Sequence, residues 1–352
     1  MSPDAGPNWR MPAETEPQER IWMAFPPAGP NTGETPDETH AARSAWAAVA
    51  HAILPFQPVS MIVDPADVEL AGDYLDARID VHRASLDDAW MRDIGPSFVR
   101  GADGELAAVL WHFNGWGQQD WAEWGKDSLI NAEVARLAGA QPLRSSIVNE
   151  GGGFHLDGEG TVLLTETVQL DPLRNPNASK AEIELEIHSL LGTRHAVWLP
   201  RGLVRDAQAL GTKGHVDIVA TIPSPGTVLL HDQQNPEHPD FEVCAQIRAV
   251  FENSTDAAGR PWRIVPVPAP QVLKDEIDFV DYSYINHLVI NGAVIACTFD
   301  DPNDASALAI LAEAYPGRQI VGVDAREFFA RGGGIHCITQ QQPALATPTA
   351  GA

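Results

Sequence analysis

The stretches HLDGEGTVLLTE (155–166), HVDIVATIPSPGTVLLHD (215–232) and NHLVINGAVIACTFDDPND (286–304) decide the fold class of this chain. The first two share a His-x-Asp opening and the strand GTVLL, and all three run strand, turn, strand, acidic turn before a helical segment. A recurrence of hairpin plus helix at about sixty to seventy residues is the mark of a repeated α/β module. Helices predicted over 179–192 and 241–252 fill the gaps. A third follows the last hairpin, where Ala305, Leu308, Ala309, Leu311 and Ala312 are expected to form an apolar face before Pro316 and Gly317 break it.

Working outward, IWMAFP from Ile21 reads as a strand, PPAGPNTGETPDET as a loop by its Pro, Gly and Thr content, and 41–53 as a helix. VSMIV (59–63) is a strand, a helix follows Pro65, and DDAWMRDIGPSFV (87–99) is an acidic turn. No linker divides the chain, so residues 1–343 are expected to form one domain, with a disordered tail over 344–352.

The 352 residues carry a formal charge of -25, which disfavours nucleic acid and anionic membrane partners and mildly concentrates small cations. Three cysteines without CxxC spacing exclude a disulfide framework and a cysteine zinc cluster. No signal peptide or membrane-length apolar run is evident, so a cytoplasmic protein is expected.

Cys244 falls in the helical FEVCAQIRAVF and Cys297 in the strand VIACTF, so both read as core residues. Cys337, in GGGIHCITQQQ, has Gly and Gln around it, and glycines allow close approach of backbone and substrate. It is the candidate nucleophile. A thiol nucleophile needs a proton-transfer group and something to orient the electrophile. Asp93, Glu150, His155, Asp157, His215 and Asp217 all lie in turn-like contexts. Asp93 and Asp217, each accepting from one edge of a planar guanidinium, would hold its carbon before the thiol, and the bound cation would favour the thiolate. The two His-x-Asp pairs also suit zinc or manganese, which leaves a metal-dependent hydrolase as an alternative.

MPAETEPQERIWMAFP, DDAWMRDIGPSFV, NEGGGFHLDGEGTVLLTE, RNPNASKAEIE, WLPRGL, GHVD, SYINHLVINGAVI, DPNDASALAILAEAYPGRQIVGVDARE and GGGIHCITQQQP stand in family order over about residues 11–343. Together they resemble the agmatine deiminase family of guanidine-modifying enzymes. The resemblance implies a five-bladed, pseudo-symmetric α/β propeller (a pentein) around a central site, with no cofactor. It makes Cys337 the covalent nucleophile, His215 the general acid and base, Asp93 and Asp217 the guanidinium clamps, and Glu150 the acid that orients histidine or substrate. Trp90, Asp88, Lys213 and Gly334 are expected to contact a small cationic guanidine. The implied reaction runs through an amidino-cysteine to a ureido product and ammonia, and a homo-oligomer is allowed.

Departures from the family pattern bear on substrate. Lys213 stands just before the Gly-His-x-Asp motif, where acidic residues usually suit a distal amine. Ile218 replaces an Asn, and Thr15 and Phe25 each replace a Trp. A lysine there would repel an ammonium by about 1 kcal/mol at close range, so arginine or another carboxylate-bearing guanidine competes with agmatine. A catalytically idle guanidine-binding protein remains the third reading.

Overall fold

A computed structural model describes residues 9–275 and 277–345. It contains five small sheets, and four of them repeat one plan. In each, an antiparallel hairpin is followed by a helix, and a third strand returns parallel to the second strand of the hairpin. The hairpins are Ser97–Gly101 with Leu106–His112, Phe154–Leu156 with Thr161–Thr165, Ala220–Ser224 with Thr227–Asp232, and Leu288–Ile290 with Ala293–Thr298. The returning strands are Gln141–Val148, His195–Leu199, Arg263–Pro268 and Gln319–Asp324. The three expected repeats are thus hairpins followed by helices.

The fifth sheet closes the set by joining the two ends of the chain. Thr339–Pro343 pairs antiparallel with Gln18–Ala24, which then runs through helix Pro36–Ile53 to the parallel strand Val59–Val63. This couples the segment after Cys337 directly to the first long strand. Ala344, where a disordered tail was expected to begin, donates its backbone N–H to Pro17 O at 2.9 Å. Residues 346–352 of that expected tail lie outside the described residues.

Strand period explains how one strand serves two cores. Successive side chains point to opposite faces, so Val162 and Leu164 enter a cluster with Ile183 and Ile187, while Leu163 enters the main core. Helix Lys180–Leu191 begins at a capping box in which Ser179 accepts from Glu182 N and Glu182 accepts from Ser179 N. Ile183, Ile187 and Leu191, four residues apart, make its buried stripe, each burial contributing about 1.5–3 kcal/mol. Gly192, left-handed at φ 73°, ends it.

Helix Asp304–Ala314 differs from expectation. Ala307 and Leu311 are its buried residues, whereas Ala305, Ala309 and Ala312 are exposed. The segment is apolar almost all round, so composition alone did not mark which side faces the sheet. Cys244 and Cys297 are buried in helix Asp240–Glu252 and strand Ala293–Thr298, as expected, and burial pushes both thiols up to about 12. No helix among the described residues is long and apolar enough to cross a membrane.

Candidate active site

The acidic turn at 87–99 contains one helical turn, Met91–Ile94, and the first residues of strand Ser97–Gly101. That turn is docked on the cysteine segment, since Arg92 N donates to Cys337 O at 3.0 Å. It places Asp93, 4% exposed, with Oδ2 accepting from Trp116 Nε1 at 2.8 Å and Oδ1 accepting from Gly152 N at 3.0 Å. The turn Val216–Ile218 brings Asp217 from the other side. Its Oδ2 lies 3.5 Å from Cys337 Sγ, and its Oδ1 has no protein partner.

His215 is aimed by its own main chain, whose N–H donates to Asp206 Oδ2 and Thr212 Oγ1, both at 3.0 Å. Nε2 sits 3.3 Å from Glu150 Oε2, and Nδ1 lies 3.8 Å from Asp93 Oδ2 with no hydrogen-bond partner. Glu150 is fully buried and receives Arg174 Nε at 2.9 Å on Oε1 and at 3.1 Å on Oε2. Gly152 faces the middle of this set. A Cβ there would stand 2.5 Å from His215 Nδ1, 3.1 Å from Asp217 Oδ2 and 3.1 Å from Asp93 Oδ1. Three polar atoms therefore pack against the bare face of Gly152, where a side chain would clash.

The charges are tuned by burial against neighbours. Burial raises Asp93, with the Glu150 and Asp217 charges adding to it and His215 opposing, and its pKa is pushed up to about 6. Burial would also raise Glu150, but the Arg174 charge and the His215 bond outweigh it and hold the carboxyl at about 2. Burial disfavours the imidazolium of His215, yet Asp93, Glu150 and Asp217 together raise it to about 9. Cys337 is pushed well above an ordinary thiol by burial and then by the Asp217 and Asp93 charges, against which the Gly334 N–H and the Asn286 amide act. Burial alone does not distinguish Cys337 from the two core cysteines. What distinguishes it is the ring of polar atoms.

The other expected contacts are placed less uniformly. Trp90 lies against the cysteine segment, its Cζ3 2.7 Å from where a Gly333 Cβ would stand, with Cys337 Sγ 3.1 Å from the same point. A Cβ on Gly334 would be 2.5 Å from Asn286 Oδ1, so Gly334 makes room for that amide. Asp88 accepts from Ala89 N and Asn31 Nδ2, and it braces the turn beneath Trp90. Lys213 donates to Asp171 Oδ2 at 2.7 Å and to Gly117 O at 3.0 Å, so its charge is engaged by an acid. Of the metal alternative's residues, Asp157 accepts from Glu159 N, Thr161 N and Thr161 Oγ1, and His155 Nε2 meets Thr221 Oγ1. Among the described residues the His, Cys, Asp and Glu atoms that converge are those of Glu14, His155 and His336, which is a different set.

Four residues given no role in the sequence reading belong to the cluster. Asn286 donates from Nδ2 to Cys337 Sγ at 3.2 Å and accepts from His336 N at 2.9 Å, while Arg174 and Trp116 hold Glu150 and Asp93. His336 bonds Asp217. For Asn286 and His336 the available signal was a polar side chain inside the runs SYINHL and GIHC, whereas Arg174 in the polar run RNPN carried none.

Residues 10–343 match the family model for Porphyromonas-type peptidyl-arginine deiminase. A Streptomyces coelicolor protein carrying a provisional agmatine deiminase name is 54% identical over 95% of this chain and 99% of its own length. Agmatine deiminase of Pseudomonas fluorescens is 40% identical, with 95% of each chain covered. Among solved structures, agmatine deiminase of Enterococcus faecalis superposes with a TM-score of 0.90 at 34% identity, covering 96% of both chains.

Proposed function

This chain belongs to the Porphyromonas-type peptidyl-arginine deiminase family, and from that premise we propose that it hydrolyses the guanidinium of agmatine to N-carbamoylputrescine and ammonia. The observation that carries the reading is the gathering of Asp93, Asp217 and His215 around Gly152, with Asp217 Oδ2 3.5 Å from the Cys337 thiol. The two carboxylates are the acceptors that a planar cation with N–H donors on every edge calls for, and His215 Nδ1 is the proton donor beside them.

In the free protein Cys337 is a neutral thiol, because burial and two neighbouring carboxylates oppose the thiolate. A guanidinium between Asp93 and Asp217 cancels those charges at the moment of binding, so the thiol ionises once substrate is bound and its proton passes to solvent. The thiolate adds to the guanidinium carbon. His215, protonated at neutral pH and steadied by Glu150, gives its proton to the departing nitrogen, and ammonia leaves. Water then loses a proton to the same histidine and attacks the amidino-cysteine, releasing the ureido product and restoring the thiol.

The arginine reading depended on a free Lys213. With its ammonium engaged by Asp171, that lysine offers no open charge to a carboxylate. The same reading takes the five sheets as five blades about the site, residues 1–343 as one catalytic domain, and the protein as cytoplasmic. Ammonia release from agmatine, arginine and a guanidino acid tests it, with intact-protein mass spectrometry to detect the adduct on Cys337. Agmatine is expected to be preferred and Cys337→Ala to be inert; full-speed hydrolysis by Cys337→Ala would refute the mechanism.

A further inference from the structure

His336, the residue before the nucleophile, is buried and bonded at both ring nitrogens to carboxylate oxygens. Nδ1 lies 2.8 Å from Asp217 Oδ2 and Nε2 lies 2.7 Å from Glu14 Oε1. An ionised carboxylate only accepts, so each nitrogen must bring a hydrogen, and a neutral imidazole has just one. The ring is also fixed through its main chain. His336 N donates to Asn286 Oδ1 at 2.9 Å, and its carbonyl accepts from Arg92 Nε at 3.2 Å. Asp217 is thereby held by one oxygen while the other, Oδ1, stays unpartnered.

We propose that His336 is a positioning residue of the deimination, kept as an imidazolium between Glu14 and Asp217 so that the Asp217 carboxylate is fixed beside Cys337 with one oxygen left unpartnered for the substrate guanidinium. The inference rests on the guanidine-hydrolase reading above. Glu14 acts one step further out, by holding the proton on His336 Nε2. The charged and titratable groups facing the ring are Glu14, Arg92, His155, Asp217 and His287, drawn from five separate segments, and Cys337 beside it. Arg92 Nη1 stands 3.6 Å from Glu14 Oε1. His155 and His287 are both lowered, mainly by burial, and are neutral at physiological pH. Burial and Arg92 work against a cation at His336, but Glu14 and Asp217 outweigh them and raise it. Asp217 is lowered in turn, its burial outweighed by the His336 bond and charge.

Glu14, His155 and His336 also hold their ligand atoms within 4.8 Å of one another. A divalent ion would need the lone pair of His336 Nε2, the atom that here carries hydrogen toward Glu14, and would face Arg92. The two uses of the site differ by one proton, and an experiment can read it.

Imidazole ¹⁵N spectra of the substrate-free protein at pH 7.5, assigned with His336→Gln, are expected to show both His336 nitrogens protonated and unmoved by added Zn²⁺ or Mn²⁺. In Glu14→Gln the ring loses one of the two carboxylates that raise it, so it gives up its proton at lower pH than in the wild type. The alkaline limb of kcat/KM for agmatine should then begin at lower pH, with KM rising more than kcat falls, and Glu14→Asp should restore part of the shift. A single-tautomer neutral ring in the wild type, a metal-shifted resonance, or a Glu14→Gln profile that overlays the wild type would each overturn the proposal. Should agmatine prove not to be a substrate, the spectra still report the ring, so the two failures are separable.

Discussion

Gly151–Gly153 and Gly332–Gly334 are the same tripeptide on two sides of one buried cluster, and their missing side chains make room for different things. In the first, a Cβ on Gly152 would crowd His215 Nδ1, Asp217 Oδ2 and Asp93 Oδ1, three polar atoms of the candidate site. In the second, a Cβ on Gly332 would run into the backbone carbonyl of Leu210, and Gly332 is left-handed at φ 107°. Gly152 lets polar groups of the candidate site pack close, and Gly332 lets two loops close on each other. Identical sequence therefore carries two physical meanings, and the neighbours decide which.

Gly152→Ala is the sharpest way to break that contrast. A displacement of about 1 Å at a reacting centre costs roughly a hundredfold, so a methyl in this volume should lower kcat/KM for agmatine by more than that. Overpacking a buried site costs about 1–3 kcal/mol, so some stability is lost as well, but assayed well below the melting transition the loss of activity should exceed what that accounts for. An active Gly152→Ala enzyme would mean that substrate binds elsewhere.

Gly332→Ala should behave the opposite way. A left-handed backbone costs a residue with a Cβ about 1–2 kcal/mol, and forcing a methyl against a carbonyl about 1–3 more. Urea unfolding should show a loss of about 2–5 kcal/mol. At low temperature the variant should keep more kcat/KM than Gly152→Ala does. If the two variants lose stability and activity in the same proportion, the distinction between the triplets fails.

The first triplet also touches the proton inventory, because Gly152 N–H lies on Asp93. In the proposed mechanism Asp93, pushed up to about 6, must be ionised to clamp a cation, while His215, raised to about 9, must be protonated to release ammonia. The kcat/KM profile should rise through about 6 and fall through about 9. Trp116→Phe removes a bond that favours the Asp93 carboxylate, so only the acid limb should move, and upward, by less than about one unit. An unmoved acid limb would assign it to another group.

These contrasts explain what the sequence allowed to be read. The hairpins at 155–166, 215–232 and 286–304 are each local, and their turns and strand runs lie within 20 residues. The hairpin-like pair of the fifth sheet joins Gln18–Ala24 to Thr339–Pro343, so no local pattern could announce it. The hairpin Ser97–Gly101 with Leu106–His112 was hidden because its first strand was read into the acidic turn. Cys337 was legible from its glycines. His336 beside it was not, since its meaning depends on Glu14, 322 positions away.

Lys213 offers the smallest effect and the finest test, because here charge counted along the sequence and charge placed in space disagree. Its position before the Gly-His-x-Asp motif points to repulsion of a distal ammonium, whereas its 2.7 Å bond to Asp171 makes it half of an ion pair. Arg174 Nη1 holds the same Asp171 oxygen at 3.0 Å, so removing the lysine would still leave the acid with a cationic partner. Lys213 is left-handed at φ 73°, and Asn is the replacement that tolerates this backbone best. Lys213→Asn should therefore change the agmatine-to-arginine ratio of kcat/KM by less than about fivefold, within the roughly 1 kcal/mol that a partly compensated charge supplies. A change beyond a hundredfold would mean that the lysine faces the substrate despite its partner, and that the position chooses between an amine and a carboxylate.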